Sequence, residues 1–140
     1  MKTKSYRDLE TWQEAMNLVE MWYCLTSALP SEEKFGLASQ IRRAAVSIPA
    51  NIAEGYGRIH RGDYLHHLSM AGGSLAELET LLTIAGRLKL LSREAVVPVW
   101  EQTQRVARLL ARLRQGLQKA SSPNAKRQTP NPTGGTHDSC

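Results

Sequence analysis

Apolar residues along this chain recur at spacings of three and four. No stretch alternates regularly enough to read as a strand, so the pattern predicts helices. The first helix spans about Asp8 to Ala28. Leu9, Trp12, Met16, Val19 and Tyr23 form one stripe along it, and Ala15, Leu18, Trp22, Leu25 and Leu29 form a second stripe beside it. A surface helix needs one apolar stripe. Two stripes predict cover on two sides, by more of the bundle or by another subunit. Pro30 stops this helix. Ser31 reads as the N-cap of the second helix, with Glu32 and Glu33 favourable in its first turn. That helix runs to about Tyr56 on a core stripe of Ile41, Ala45, Ile48 and Ile52. Pro49 lacks the N–H that would bond the Ala45 carbonyl, which predicts a kink, and Gly55 and Gly57 are expected to end the helix.

The third helix is expected over about Asp63 to Leu88, with a seam of Tyr64, Leu68, Ala71, Leu75, Leu78, Leu82 and Ala85. Gly72, Gly73 and Ser74 lie in its middle. A helical glycine costs about 1 kcal/mol relative to alanine, so close approach of another helix, or room for a tryptophan, is expected there. The fourth helix starts after Ser92 and reaches about Gln118, with Val96, Val99, Thr103, Val106, Leu110, Leu113 and Leu117 on its seam and Pro98 bending its first turns. The connections are short, so neighbouring helices should run antiparallel. The fold class is all-α, with one bundle domain over residues 1–120. Residues 121–140 have no apolar periodicity and read as a disordered tail.

Polar positions add candidate chemistry. On the second helix Gln40, Arg43, Ser47, Asn51, Glu54 and Arg58 follow at spacings of three and four, forming a polar stripe between two apolar faces. Three readings stay open. Arg43, Ser47, Asn51, Glu54 and Arg58 form a structural hydrogen-bond network with a Glu54–Arg58 pair; or the stripe is the solvated face of the helix; or Arg43, Asn51 and Glu54 serve a cryptic enzyme. An Asn51→Ala, Glu54→Ala double variant separates the first from the last. On the fourth helix Arg105, Arg108, Arg112 and Lys119 lie opposite the seam, Arg114 flanks them, and no acid occurs between Glu101 and Asp138. This ridge continues into Lys126 and Arg127 and suits phosphate contacts, which need charge and reach more than exact geometry. The competing reading is a helix end complementing its own dipole.

Charge and composition sharpen this. Eighteen Lys and Arg against thirteen Asp and Glu give a net charge of +5 over 140 residues, which favours acidic partners. The two cysteines, Cys24 and Cys140, make no disulfide framework. Cys24 reads as a buried structural thiol, and a reducing cytoplasm fits. The opening residues are mixed polar and do not read as a signal peptide, and no apolar run approaches the ~18 residues that cross a bilayer. His60, His66 and His67 cluster at the start of the third helix, but the second Glu-x-x-His pair of a di-iron site is missing, so no metal is expected. Glu77 and Glu79 point to different faces and do not gather magnesium. With no phosphate loop and no nucleophile elbow, neither a cofactor nor catalysis is expected.

Tyr6-Arg-Asp-Leu-Glu-Thr-Trp-Gln-Glu-Ala15, Phe35-Gly-Leu-Ala-Ser-Gln-Ile-Arg-Arg-Ala-Ala45, Ser47-Ile-Pro-Ala-Asn-Ile-Ala-Glu-Gly55 and Gly72-Gly-Ser-Leu-Ala-Glu-Leu-Glu79 together resemble the bacterial four-helix-bundle proteins encoded by intervening sequences in 23S ribosomal RNA genes. The resemblance covers about residues 5–117. It implies an antiparallel up-down-up-down bundle assembled into a ring-like homo-oligomer, a pentamer. Related bundles are accessory proteins of diversity-generating retroelements, which bind nucleic acid and a reverse transcriptase through a basic surface. The resemblance contributes no catalytic residue. The leading expectation is a non-enzymatic nucleic-acid-binding oligomer, for structured RNA before DNA, with Arg105, Arg108, Arg112, Arg114 and Lys119 on phosphates and Arg42 and Arg87 as secondary candidates. The alternative is a protein-interaction scaffold or accessory subunit, for example for a reverse transcriptase. No membrane partner is expected.

Overall fold

The computed structural model describes residues 3–121 of the chain. Four helices account for most of them: α1 (Glu10–Thr26), α2 (Leu37–Tyr56), α3 (Arg61–Arg87) and α4 (Arg93–Ser121). Among the described residues there are no strands. Apart from Ser121, which ends α4, the expected tail at 121–140 lies outside the described residues, as do Lys126, Arg127 and Cys140.

Among the described residues, helix contacts run in a closed cycle, α1 with α2, α2 with α3, α3 with α4 and α4 with α1, with none across the diagonals. Named contacts fix the register. Arg42 reaches Thr26 while Tyr56 reaches Thr3. Asn51 meets His67 while Ser47 meets Ser74. Gln104 bonds Glu79 while Arg114 comes against Gly72, and Gln102 and Arg105 bond Glu14 and Glu10. In these pairs rising numbers on one helix meet falling numbers on the next.

The core settles which α1 stripe is internal. Ala15, Leu18, Trp22, Leu25 and Leu29 are buried, whereas on the other stripe Met16 and Tyr23 are each 41% exposed. Leu9, Trp12 and Val19 are partly covered. The buried stripe joins Ile41, Ala45, Ile48 and Ile52 of α2, Leu68, Ala71, Leu75, Leu78 and Leu82 of α3, and Val99, Val106 and Leu110 of α4. Each fully buried Leu or Ile contributes about 1.5–3 kcal/mol by leaving water. The Trp22 indole N–H is buried there with no hydrogen-bond partner.

Several local expectations change. Ser31 does not cap α2. It opens a short 3-10 turn, Ser31–Glu33, closed by Glu33 N–H donating to the Pro30 carbonyl. Gly36 then occupies the N-cap of α2, and the Glu33 carboxylate accepts from Leu37 N–H at 3.2 Å. The capping oxygen thus comes from an acid in the preceding turn, because Pro30 starts a turn too tight to continue as α-helix. Gly55 does not end α2 but lies buried inside it, and Gly57 is the C-cap. As expected, α2 runs on through Pro49, which is buried, and α4 through Pro98. Cys24 is exposed and not buried. It lies two residues past Trp22, which at 3.6 residues per turn places it across the helix from the core.

The α3 glycines face neither a tryptophan nor a close helix. A Cβ at Gly72 would meet Arg114 Nη1 at 3.5 Å and Leu110 Cδ2 at 3.8 Å, ordinary contacts, and one at Gly73 would meet nothing within 4 Å. The close approach is elsewhere. A Cβ at Gly55 would stand 2.9 Å from both His67 Cβ and Tyr64 Cδ1, and 3.2 Å from the Tyr64 carbonyl oxygen. The glycine that admits a neighbouring backbone is on α2, and the helix it admits is α3.

Candidate nucleic-acid interface

The polar line on α2 resolves into a seam with α3. The Ser47 hydroxyl donates to the Ala44 carbonyl at 2.6 Å and shares a short hydrogen bond with the Ser74 hydroxyl. Each hydroxyl has one proton, so Ser74 supplies the proton of the shared bond. Asn51 Nδ2 donates to the Ser47 carbonyl at 2.9 Å, and Asn51 Oδ1 is 3.1 Å from His67 Nδ1. Glu54 Oε2 lies 3.7 Å from the same nitrogen. Ser47, Asn51 and Glu54 are therefore brought together, with Ser74 and His67 as partners that the α2 pattern does not name. Their seven-residue spacing on α3 puts them on one flank, the only signal that could have found them. Arg43 and Arg58 have no hydrogen bond or ion pair among the described residues, and the expected Glu54–Arg58 pair is not formed.

This seam joins α2 to α3. Ser47 directs its proton to a carbonyl, and His67 Nδ1 faces Asn51 and Glu54, so no imidazole nitrogen bonds a candidate hydroxyl nucleophile there. Among the described residues no group of three His, Cys, Asp or Glu side chains is placed to hold a metal ion.

The α4 arginines separate by face. Arg105 turns toward α1, where Nη2 meets Glu10 Oε1 at 3.3 Å and Nε meets Glu14 Oε2 at 3.4 Å. Its charge is balanced by two acids. Arg114 turns toward α3 and lines a cleft with Gly72, Ala76, Glu79, Ala107 and Ala111, with its Nε buried and without a hydrogen-bond partner. Arg108, Arg112 and Lys119 remain on the outward side, with no hydrogen bond or ion pair among the described residues. Arg112 and Lys119 are exposed and Arg108 is half-buried. Of the secondary candidates, Arg42 is engaged. Its guanidinium lies 4.9 Å from the Tyr23 ring centroid, and its Nε donates to Thr26 Oγ1. Arg87 lines a shallow cleft with Trp100 and Ile84.

A larger feature comes from the helix order. The start of α1, the end of α2, the start of α3 and the end of α4 share one end of the bundle. Thr3 hydrogen-bonds Tyr56 there, and Leu117 of α4 lines a cleft of about 370 Å³ with Arg58, Ile59, Arg61 and Tyr64. Lys4, Arg7, Arg58, Arg61, Arg112 and Lys119 collect toward this end. Of the nearby acids, Asp8 is bound to the backbone N–H groups of Lys4 and Ser5, Glu54 faces His67, and Asp63 stands exposed in the first turn of α3. Burial, and secondly the neighbouring Tyr56, push the Tyr64 phenol up to about 12. The two rings meet edge to face at 6.1 Å. Arg7 lies over the Tyr6 and Trp12 rings, 5.5 Å from each centroid, and the other five form no ion pair among the described residues. Cations so placed beside a neutral aromatic can contact phosphate and bases without reading sequence.

Among the described residues no helix is long and apolar enough to cross a membrane. The bundle is similar to the crystal structure of a protein of unknown function from the S23 ribosomal protein family of Bacteroides thetaiotaomicron VPI-5482. That likeness has a TM-score of 0.70 at 24% identity and covers 75% of this chain and 95% of that one. At that identity it shows the fold alone. No curated protein matches the chain. The model of the 23S rRNA-intervening sequence protein family matches residues 7–112, most of the bundle, and the chain belongs to that family.

Proposed function

We propose that this chain is a non-enzymatic, oligomeric bundle protein of the cytoplasm that binds nucleic acid, structured RNA before DNA, through a basic surface. The observation that carries this is the outward side of α4. Arg108, Arg112 and Lys119 stand there with no hydrogen bond or ion pair among the described residues. They lead into the basic end of the bundle, on a chain of net charge +5. Free arginines with long reach neutralise phosphates and release counterions. The opposed register of each contacting helix pair supports an antiparallel up-down-up-down order. The exposed apolar flank of α1 supports self-assembly into a ring.

The test is fluorescence anisotropy with a hairpin RNA across a salt series. Wild type should bind tightly at low salt and weaken steeply as salt rises. An Arg108→Ala, Arg112→Ala, Lys119→Ala variant should keep its melting temperature and reduce the salt slope by about 2–3, near 0.9 for each phosphate no longer neutralised. No wild-type binding at low salt, or an unchanged slope in the variant, sinks the reading. A second reading, a scaffold or accessory subunit for a protein such as a reverse transcriptase, is favoured by Phe35, which is 88% exposed. Under that reading affinity capture recovers a protein partner after nuclease treatment.

A further inference from the structure

The cleft at the basic end combines two chemistries that the α4 ridge does not. Arg58 and Arg61 bracket it, neither with a hydrogen bond or ion pair among the described residues, and no acid is in its lining. Between them Ile59 is held 95% exposed at the α2–α3 turn. Tyr64 and Leu117 supply the rest of an apolar wall. An isolated exposed isoleucine is ordinary. One set between two free arginines over a concave apolar wall matches a ligand that is anionic on one side and flat and apolar on the other.

We propose that this cleft binds an unpaired nucleotide of a single-stranded RNA segment, with its phosphates on Arg58 and Arg61 and its base against Ile59, Tyr64 and Leu117. The inference rests on the RNA-binding reading and names the form of RNA this end of the molecule selects. A duplex hides its base faces in the stack and offers mainly phosphates and groove edges, whereas an unpaired base offers a face to side chains. The cleft, about 370 Å³, falls at the small end of ligand-site volumes, roughly 300–1,000 Å³, a size for one nucleotide and not for a helix. A neutral Tyr64 phenol adds no repulsion against the phosphates. Anionic lipid shares the charge chemistry but is met by an extended amphipathic face, and the cleft is concave and local.

The experiment compares a single-stranded oligouridine with a blunt RNA duplex of equal phosphate number, binding each to the full chain over a salt series. Arg58→Ala, Arg61→Ala together should reduce the single-strand salt slope by about 1.4, near 0.7 per phosphate, and lower the duplex slope by less. Ile59→Ser removes no charge and lies on the surface. It should weaken single-strand binding without changing that slope. A 4-thiouridine probe should crosslink within residues 58–64. Equal losses on both RNAs, no loss on the single strand, or a crosslink confined to α4 overturns the inference while leaving the function standing. Failure of wild type to bind either RNA removes both. Binding of phosphatidylserine vesicles that depends on Ile59, with single-strand binding unaffected, assigns the cleft to lipid and overturns the proposal.

Discussion

Tyr64 has its hydroxyl-bearing ring between α2 and the basic cleft, and its ionisation is tied to the fold. Burial is the larger cause of its raised pKa and Tyr56 the smaller, together moving it from 10.0 to about 12. The folded state therefore holds the phenolic proton more tightly than the unfolded chain does. Between pH 10 and pH 12 the unfolded state binds fewer protons, so the stability linked to Tyr64 is whole below pH 10 and declines as pH rises through that window. Urea denaturation from pH 9 to pH 12 should show a falling midpoint, and Tyr64→Phe should flatten that part of the decline. In a spectrophotometric titration the same substitution should remove a phenolate component centred near pH 12. An unchanged titration would mean that the ring is solvated and the cleft wall looser than the structure has it.

At the scale of elements, the α2–α3 contact depends on small and polar groups where a bundle usually uses leucines. Gly55→Ala places a methyl 2.9 Å from His67 Cβ and Tyr64 Cδ1 and 3.2 Å from a backbone carbonyl. The backbone cannot yield as a flexible side chain would. Overpacking of this kind costs about 1–3 kcal/mol, more than alanine's better helix propensity returns. Equilibrium unfolding should show that loss, whereas Gly116→Ala in α4, with nothing within 4 Å of an added Cβ, should gain up to about 1 kcal/mol. The helices themselves were legible in the sequence because 3.6-residue periodicity is a local property written in each segment. The α2 polar line was legible for the same reason. Its partners Ser74 and His67 were not, because nothing local to α3 says which flank meets α2. Both α1 stripes are apolar, so the pattern could not choose the internal one. Arg105 looked like a member of the ridge because Glu10 and Glu14, which balance it, lie about ninety residues away in the chain. The start of α2 was misplaced because Ser31 is a good cap in composition, while Pro30 and Gly36 together set a turn ahead of the helix.

For the whole molecule, the cyclic order of contacts puts α1 and α3 on opposite corners of the bundle, and each carries a surface that the single chain leaves open. On the α1 side these are Met16 and Tyr23, with Val46 of α2, 43% exposed, one turn along from the Arg42 that stacks on Tyr23. On the α3 side Gly73 presents bare backbone at a cost in helix propensity that no contact within the described residues offsets. In the ring proposed above, the apolar patch of one copy would meet the α3 surface of the next, a head-to-tail contact that closes into a ring only where the rotation between copies closes. This geometry makes a prediction that a two-fold interface does not. Val46→Glu spoils one surface and Gly73→Arg the other, so each variant alone should sediment as a monomer with full helicity. Mixed in equal amounts, the two should form a heterodimer and nothing larger, because one good surface remains on each partner and they are complementary. Sedimentation velocity of the wild type, each variant and the mixture reads this directly. If Gly73→Arg assembles as the wild type does, the α3 face is not part of the ring. If the mixture stays monomeric, the two surfaces do not meet each other.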